Sequence, residues 1–273
     1  MALIPPFFLD AVVSIGMPNQ NQTHWIGTGF IVGRPITPTL ENQTYHTFLV
    51  TNKHVIENKA QITIRFNSLN KDQPLDYVID LLPNGQPIWI GHQSEEVDIA
   101  VLAINPDTLT KAQAEFSFFA LDQHVMTIDD MKNEGVSEGD GVFTLGFPMG
   151  IIAPQKKHVI VRSGIIARIR DIFDQNEASY LIDANVFPGN SGGPVVLRPE
   201  ITTIEGTKSI NKAALIGIVK SYVPYRDIAV SQQTGNPRVI FEENSGLALV
   251  ETIDNVKLTV ECCYNLKIAG KIQ

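Results

Sequence analysis

The sequence predicts an all-β fold, and three observations support that prediction. Short apolar or alternating runs, most of them four to eight residues long, recur along the 273 residues and are rich in Val, Ile, Phe and Thr. Few stretches carry the 3.6-residue period of a long helix. The 20 glycines and 16 prolines are spread along the chain rather than clustered, which suits many turns between many short strands.

The predicted strands fall into two groups. In chain order they are AVVSIG, GTGFIVG, TFLVTN, QITIRF and DIAVLAI, then GVFTLGF, HVIVRSGIIARI, YLIDANV, PVVL, ALIGIVK and GLALVE. Such a series is typical of a sandwich or a barrel. A polar, acidic segment at residues 122–141 separates the groups, and we interpret it as the linker between two barrels.

Two stretches are helix candidates. PDTLTKAQAEF opens with Pro106 and Asp107, residues that commonly begin a helix. The tail from Ile253 to about Tyr264 is ambiguous, because some of its apolar residues recur at helical spacing while others alternate as in a strand.

Charge and composition argue against several classes of function. The formal charge of −8 gives no basic face for a nucleic acid. No Cys and His cluster has the spacing of a metal site, so neither a metal nor another cofactor is expected.

The ends of the chain bear on where it acts. The N-terminal segment lacks a basic leader, and Pro5, Pro6 and Asp10 interrupt its apolar run, so no signal peptide or membrane span is expected. Cys262 and Cys263 are adjacent, about 3.8 Å apart at Cα, which is below the disulfide range of about 4.4–6.8 Å. Two free thiols fit a reducing compartment, and a cytoplasmic location is predicted.

The run PGNSGGP, Pro188 to Pro194, places one serine among three glycines and two prolines. A serine hydroxyl becomes a strong nucleophile only beside a base, and its attack on a carbonyl needs donors for the oxyanion. The glycines permit a sharp turn that points the N–H groups of Gly189 and Ser191 at one spot beside the hydroxyl. Ser191 is therefore a candidate nucleophile.

A base and an orienting carboxylate must come from elsewhere in the chain. Of six histidines, His54 alone follows a strand-like run that ends in a small polar turn, in TFLVTNKHV. Asp98, in EEVDIAVLAI, precedes an apolar run and fits a partly buried carboxylate. His54 and Asp98 are therefore the candidates for these two roles.

Four motifs in order, GTGFIVG, FLVTNKHVI, VDIAVLAI and PGNSGGPVV, resemble those of the chymotrypsin-fold serine proteases. The resemblance is closest to the trypsin-like branch that includes the Deg/HtrA proteases, and it runs from about residue 11 to 258. It implies two six-stranded antiparallel β-barrels and a short C-terminal helix. The barrels would span residues 1–121 and 142–252, followed by a helix and tail at 253–273.

The resemblance also implies roles for the candidate residues. Ser191 would be the nucleophile, His54 the general base and then acid, and Asp98 the carboxylate that orients the imidazole. The N–H groups of Gly189 and Ser191 would form the oxyanion hole. Asn190 stands where activated relatives carry an aspartate, so no proteolytic activation is expected. Because the chain ends at Gln273, a PDZ domain is not expected either.

The substrate-binding prediction rests on the same resemblance. The strand ALIGIVKSYVPY would border the specificity pocket, with Lys220, Ser221 and Tyr222 along the edge that receives the substrate. Gly246 would form the opposite wall and Asn185 the floor. The uncharged Asn185 argues against a strong preference for Arg or Lys.

The function predicted from these residues is a serine endopeptidase acting on proteins or peptides. Two alternatives stay open: a protease-like module that binds peptides with little catalysis, and an esterase that uses the same nucleophile. The sequence does not indicate the oligomeric state.

Overall fold

The structure, a computed structural model, describes residues 3–19, 22–36, 43–70, 73–174, 177–201, 204 and 206–272. Its first nine strands are β1 (Val12–Met17), β2 (His24–Pro35), β3 (Tyr45–Thr51), β4 (Gln61–Ser68), β5 (Leu75–Asp80), β6 (Trp89–Gly91), β7 (Ala100–Ile104), β8 (Ala114–Glu115) and β9 (Phe119–Ala120). The other six are β10 (Gly141–Gly146), β11 (Ile160–Arg168), β12 (Ser179–Asp183), β13 (Pro194–Leu197), β14 (Ala214–Val230) and β15 (Pro237–Thr252). The helices are α1 (Pro6–Asp10), α2 (Lys53–Ile56), α3 (Pro106–Lys111), α4 (Ile128–Glu134), α5 (Arg170–Phe173) and α6 (Ile253–Ile268). The all-β prediction is confirmed.

The first nine strands form one curled sheet in the order β5-β4-β1-β2-β3-β7-β6, with β8 beside β4 and β9 beside β2. Within the described residues β5 and β6 do not pair, so this half-barrel stays open where a closed six-stranded barrel was expected. The connection between these two strands contains Pro83 and Pro87. Proline has no N–H to donate, so this segment cannot continue the ladder of hydrogen bonds.

The last six strands form a closed barrel in the order β10-β11-β12-β15-β14-β13. Inward-facing side chains of these strands, among them Tyr180, Ile182, Val195 and Val250, make up its core. The predicted six-stranded C-terminal barrel is confirmed. Strands β14 and β15 continue beyond it as a two-stranded ribbon, in which register pairs run from Pro224 with Asn244 to Val230 with Pro237.

The segment predicted as a linker packs against the second barrel. Thr127 and Asp130 form a capping box at the start of α4, and Gly135 ends the helix with φ 77°. Met131 and Val136 are buried in the core of the second barrel. The domain boundaries at residues 121, 141 and 252 stay predictions.

Both candidate segments contain a helix, but the first helix is shorter than the candidate stretch. The first is α3, which ends at Lys111, and Gln113 with φ 59° then turns the chain into β8. The ambiguous tail is the helix α6, whose N-cap Thr252 accepts a hydrogen bond from Asn255 N–H. No helix among the described residues is both long and apolar enough to cross a membrane.

One apolar cluster joins the two halves of the chain. It contains Phe30 and Val50 from the first sheet, Leu145 and Val196 from the second barrel, and Val256 from α6, all buried. Helix α6 also buries Cys263 in this cluster, and both cysteines are free thiols. Because protein interiors pack densely, this shared core fixes the two sheets relative to each other.

Lys157 is buried beside the first sheet, with 4% of its surface exposed. Its Nζ donates to the carbonyl of Val12, and its backbone exchanges hydrogen bonds with the Asn67 side chain. Burial lowers the pKa of this lysine to about 8, against opposing effects of the nearby Asp10 and Glu115 charges. The folded chain therefore holds the Lys157 proton less tightly than the unfolded chain does.

The pH dependence of stability should report this burial. Below pH 8 the folded and the unfolded chain both hold the Lys157 proton, and the full cost of burying the charge is present. Between pH 8 and 10.5 only the unfolded chain keeps this proton, so the free energy of unfolding rises with pH. Relative to Lys157→Met, the wild-type free energy of unfolding should increase by about 3 kcal/mol over that interval. Urea titrations of both proteins at pH 7 to 10.5 measure this, and parallel curves would contradict it.

Candidate active site

His54 and Asp98 meet at the edge of the first sheet. His54 lies in α2, the single turn that follows β3, and its Nδ1 is 2.5 Å from Asp98 Oδ2. The backbone N–H of His54 donates to Asp98 Oδ1 at 3.1 Å, and the buried Asn52 side chain donates to the Asp98 carbonyl at 2.6 Å. The carboxylate therefore fixes the orientation of the imidazole and leaves Nε2 for another partner.

The Asp98 carboxyl is largely enclosed, with 18% of its side chain exposed. Burial acts to raise its pKa, but the hydrogen bonds and charge of His54, with the charge of Lys220, outweigh burial and hold the pKa below its ordinary value. Asp98 is therefore ionised at neutral pH. Its ionised form contributes to stability above pH 3.8, and that contribution is lost as the pH falls through the lowered pKa.

The turn that carries Ser191 requires two of its glycines. Gly189 and Gly192 have φ values of 97° and 84°, in the left-handed region. A Cβ at Gly189 would overlap the carbonyl of Phe147, and one at Gly192 would overlap the carbonyl of Thr28. The glycines predicted to permit a sharp turn do so, and the turn is packed too closely to accept a side chain.

Thr28, on β2, fastens this turn to the first sheet. Its N–H donates to the Ser191 carbonyl at 2.9 Å, and its hydroxyl donates to the Gly189 carbonyl at 2.6 Å. The Thr28 carbonyl in turn accepts a hydrogen bond from the Thr51 hydroxyl at 2.8 Å, three residues before His54. Short hydrogen bonds therefore connect the turn of Ser191 to the segment that carries the imidazole.

Three donor groups at this turn have no hydrogen-bond partner among the described residues. Within the described residues, the N–H groups of Gly189 and Ser191 and the Ser191 hydroxyl make no hydrogen bond. Between them, Asn190 is buried and exchanges hydrogen bonds with Phe187, donating from its N–H and accepting at Oδ1. Two free amides and a free hydroxyl thus lie within three consecutive residues.

A Gly189→Ala substitution should show whether the position of the Gly189 N–H matters beyond the backbone strain that alanine adds. The added Cβ overlaps Phe147, so the Gly189 amide must move, and we expect kcat to fall by about 10²- to 10³-fold. Gly139→Ala is the matched control, because Gly139 has φ 96° but no atom within 4 Å of an added Cβ. Steady-state kinetics of both variants on one peptide measure the effect; equal losses would show that strain alone is responsible.

The predicted substrate-edge residues are placed as follows. Lys220, Ser221 and Tyr222 lie on β14 just beyond its last register pair with β13, Ile218 with Pro194. The Lys220 ammonium donates to the Glu96 carbonyl at 2.7 Å and pairs with a carboxylate on β15. The Tyr222 hydroxyl donates to Glu242 at 2.7 Å. Among the described residues no strand pairs with this edge of the backbone, whereas two of the three side chains are already bonded.

Asn185 and Gly246 lie near each other, and a carboxylate accompanies them; their roles as floor and wall of a pocket stay predictions. The position that a Gly246 Cβ would take is 3.7 Å from Asn185 Oδ1 and 3.7 Å from Asp183 Oδ1. Sequence reasoning missed Asp183, although a signal was present. It precedes Asn185 by two residues, and alternate residues of an extended segment share a face.

No three His, Cys, Asp or Glu side chains among the described residues cluster in a way that could hold a metal ion.

Several known proteins are similar to this chain. The chain is 26% identical to a serine protease DegP homolog of Plasmodium falciparum over 184 residues, which cover 65% of this chain and 16% of that protein. The MamO protease domain of Magnetospirillum magneticum is 15% identical, with 92% of this chain and 96% of that one covered and a TM-score of 0.48. The Rv3671c protease of M. tuberculosis H37Rv, in an inactive form, is 18% identical, with 94% and 90% covered and a TM-score of 0.46.

The family itself follows from a match over most of the chain. Residues 27–199 match the model of the trypsin-like peptidase domain, a range that includes His54, Asp98 and Ser191. This chain therefore belongs to the trypsin-like peptidase family.

Proposed function

We propose that this chain is a serine endopeptidase in which Ser191 forms an acyl-enzyme. The observation that carries the proposal is the imidazole of His54, which Asp98 holds through Nδ1. The segment that carries this imidazole is connected through Thr51 and Thr28 to the turn with the free serine hydroxyl. A nucleophile, a base and an orienting carboxylate are the three groups that acyl transfer through serine requires.

In the proposed reaction His54 Nε2 takes the proton of the Ser191 hydroxyl as Oγ attacks the scissile carbonyl carbon. The tetrahedral oxyanion accepts hydrogen bonds from the free N–H groups of Gly189 and Ser191. Collapse of this intermediate breaks the C–N bond, and His54 gives its proton to the departing amine. Water then attacks the acyl-enzyme, with His54 again as base, and restores Ser191.

One contact has to form during this sequence. The Ser191 hydroxyl makes no hydrogen bond to His54 in the structure, so Oγ and Nε2 must come within hydrogen-bond distance before the proton is transferred. Catalytic hydrogen bonds are often long or misaligned without substrate and tighten when it binds. Asp98 stays ionised throughout and stabilises the imidazolium that forms.

A polypeptide substrate fits the open edge of β14. From Ser221 outward the register partner of this strand is β15, on one side alone among the described residues. The other edge is free to add an extended segment by main-chain hydrogen bonds, which recognise any sequence. The proposed substrates are therefore proteins or peptides that bind in extended form next to Ser191.

Covalent labelling together with proteolysis tests the proposal. A fluorophosphonate should react with the wild-type protein at Ser191, located by peptide mass spectrometry, and casein should be cleaved. Ser191→Ala should abolish both signals, whereas Ser209→Ala, at an exposed serine, should keep them. A wild-type protein that neither labels nor cleaves would contradict the proposal.

The same preparation separates the two alternatives. Turnover of an ester without turnover of the matching amide would favour an esterase. Peptide binding that persists with alanine at residues 54, 98 and 191, and no turnover by wild type, would favour a binding module.

A further inference from the structure

A fully buried carboxylate lies behind the segment that carries Asp98. Glu251, near the end of β15, has no exposed surface. Its Oε1 accepts the backbone N–H of Asp98 at 3.2 Å and pairs with Lys220 Nζ at 2.9 Å. Its Oε2 is 3.5 Å from the Asn255 side-chain amide, at the start of α6. The second barrel thus supplies a hydrogen-bond acceptor to the backbone of a residue of the first.

Lys220 contacts the same segment from a second strand. Its ammonium donates to the carbonyl of Glu96 at 2.7 Å while it pairs with Glu251. Val97 lies between the Glu96 carbonyl and the Asp98 N–H, and its side chain is buried in the core shared by both halves. Residues 96–98 are therefore fixed at the backbone on both sides of an anchored side chain.

Stability alone does not account for this pair. Taking two charges out of water costs about as much as their attraction returns, and replacing a buried pair with apolar residues is often neutral or stabilising. The position of Asp98 gives this pair a stronger reason, because a displacement of about 1 Å in a catalytic group can cost about 10²-fold in rate. The Asp98 carboxylate contacts His54 with both oxygens, so a shift of its backbone misaligns the imidazole.

We propose that Lys220 and Glu251 are positioning residues: from the second barrel they hold the Asp98 backbone where its carboxylate aligns His54. This inference rests on the proposed function of the site. It also gives the side chain of Lys220 a different role from the substrate contact that the sequence predicts.

The test uses double substitutions, because removing the Lys220 charge alone would leave the fully buried Glu251 carboxylate unpaired. Lys220→Met/Glu251→Leu removes both charges and the acceptor for Asp98 N–H. Lys220→Met/Glu251→Gln removes both charges but keeps an amide oxygen at the position of Oε1. The second variant is the matched control for loss of charge.

We expect the Met/Leu variant to fold with a lower Tm than wild type, because the Asp98 N–H loses its acceptor, and to lose about 10- to 100-fold in kcat, with KM changed little. The Met/Gln variant should recover part of the lost kcat. In proton NMR spectra, the downfield signal of the His54 Nδ1 proton should shift or broaden in the Met/Leu variant and return towards its wild-type position in the Met/Gln variant.

The other outcomes distinguish failure of the positioning role from failure of the proposed function. An unchanged kcat and an unchanged Nδ1 proton signal in the Met/Leu variant would overturn the positioning role and leave the proposed function standing. A change confined to KM would also overturn it, in favour of a substrate contact by Lys220. Failure of wild type to label or cleave would instead contradict the proposed function, while the NMR comparison would still report on the Asp98 contact.

Discussion

Alanine in place of His54 is expected to lower kcat by about 10⁶-fold, since the Ser191 hydroxyl then has no base to take its proton. Progress curves on one peptide amide, with enzyme concentration raised to detect residual turnover, measure the loss. His158→Ala is the matched control, because His158 is exposed and has no proposed role; its kcat should equal that of wild type.

Combining His54→Ala with Ser191→Ala tests whether the two residues act as one unit. Residues that act together in one step lose their joint contribution when either is removed, so the double variant should be about as slow as each single one. Losses that multiply would mean that the two side chains act in separate steps, and would contradict the proposed mechanism.

The Asp98→Asn substitution is expected to lower kcat by about 10⁴-fold while leaving the fold intact. An amide of the same shape no longer fixes the proton on His54 Nδ1, and an amide N–H facing Nδ1 favours the tautomer in which Nε2 carries the proton. That tautomer cannot accept the Ser191 proton. Kinetics together with the proton NMR signal of Nδ1 measure both parts of the prediction.

Asp76→Asn is the control for this substitution. Asp76 pairs with Arg65 through bonds of 2.7 Å across neighbouring strands of the first sheet, away from any proposed catalytic role. Its variant should keep wild-type kcat. If the two substitutions had equal effects, the contact between Asp98 and His54 would not be what matters.

The fold class and the candidate site could be predicted because their signals are local. Strand-length apolar runs between turns indicate the strands, and α6 could be identified as an alternative from its helical spacing. The GNSGGP run reports a turn in which Gly189 and Gly192 must adopt positive φ. Each of these features depends on neighbours within a few residues, which the sequence displays directly.

Other features depend on contacts between distant segments and could not be predicted. The acidic composition of residues 122–141 predicts a linker, but it does not show that Met131 is buried in the second barrel. The side chain of Lys220 was expected at the substrate edge, but its direction depends on Glu251, 31 residues later, and on Glu96, in the other half of the chain. The open first sheet likewise depends on which strands fail to meet.

The hydrogen bond between Glu251 and Asp98 also bears on when the segment that carries Asp98 can reach its final position in a newly made chain. Ribosomes deliver about 5–20 residues per second, so Glu251 emerges about 10 to 40 s after His54. Once Asp98 has emerged, the histidine and aspartate wait for the acceptor that we propose holds the Asp98 backbone. A nascent chain therefore completes the proposed alignment of His54 only after β15 has been made.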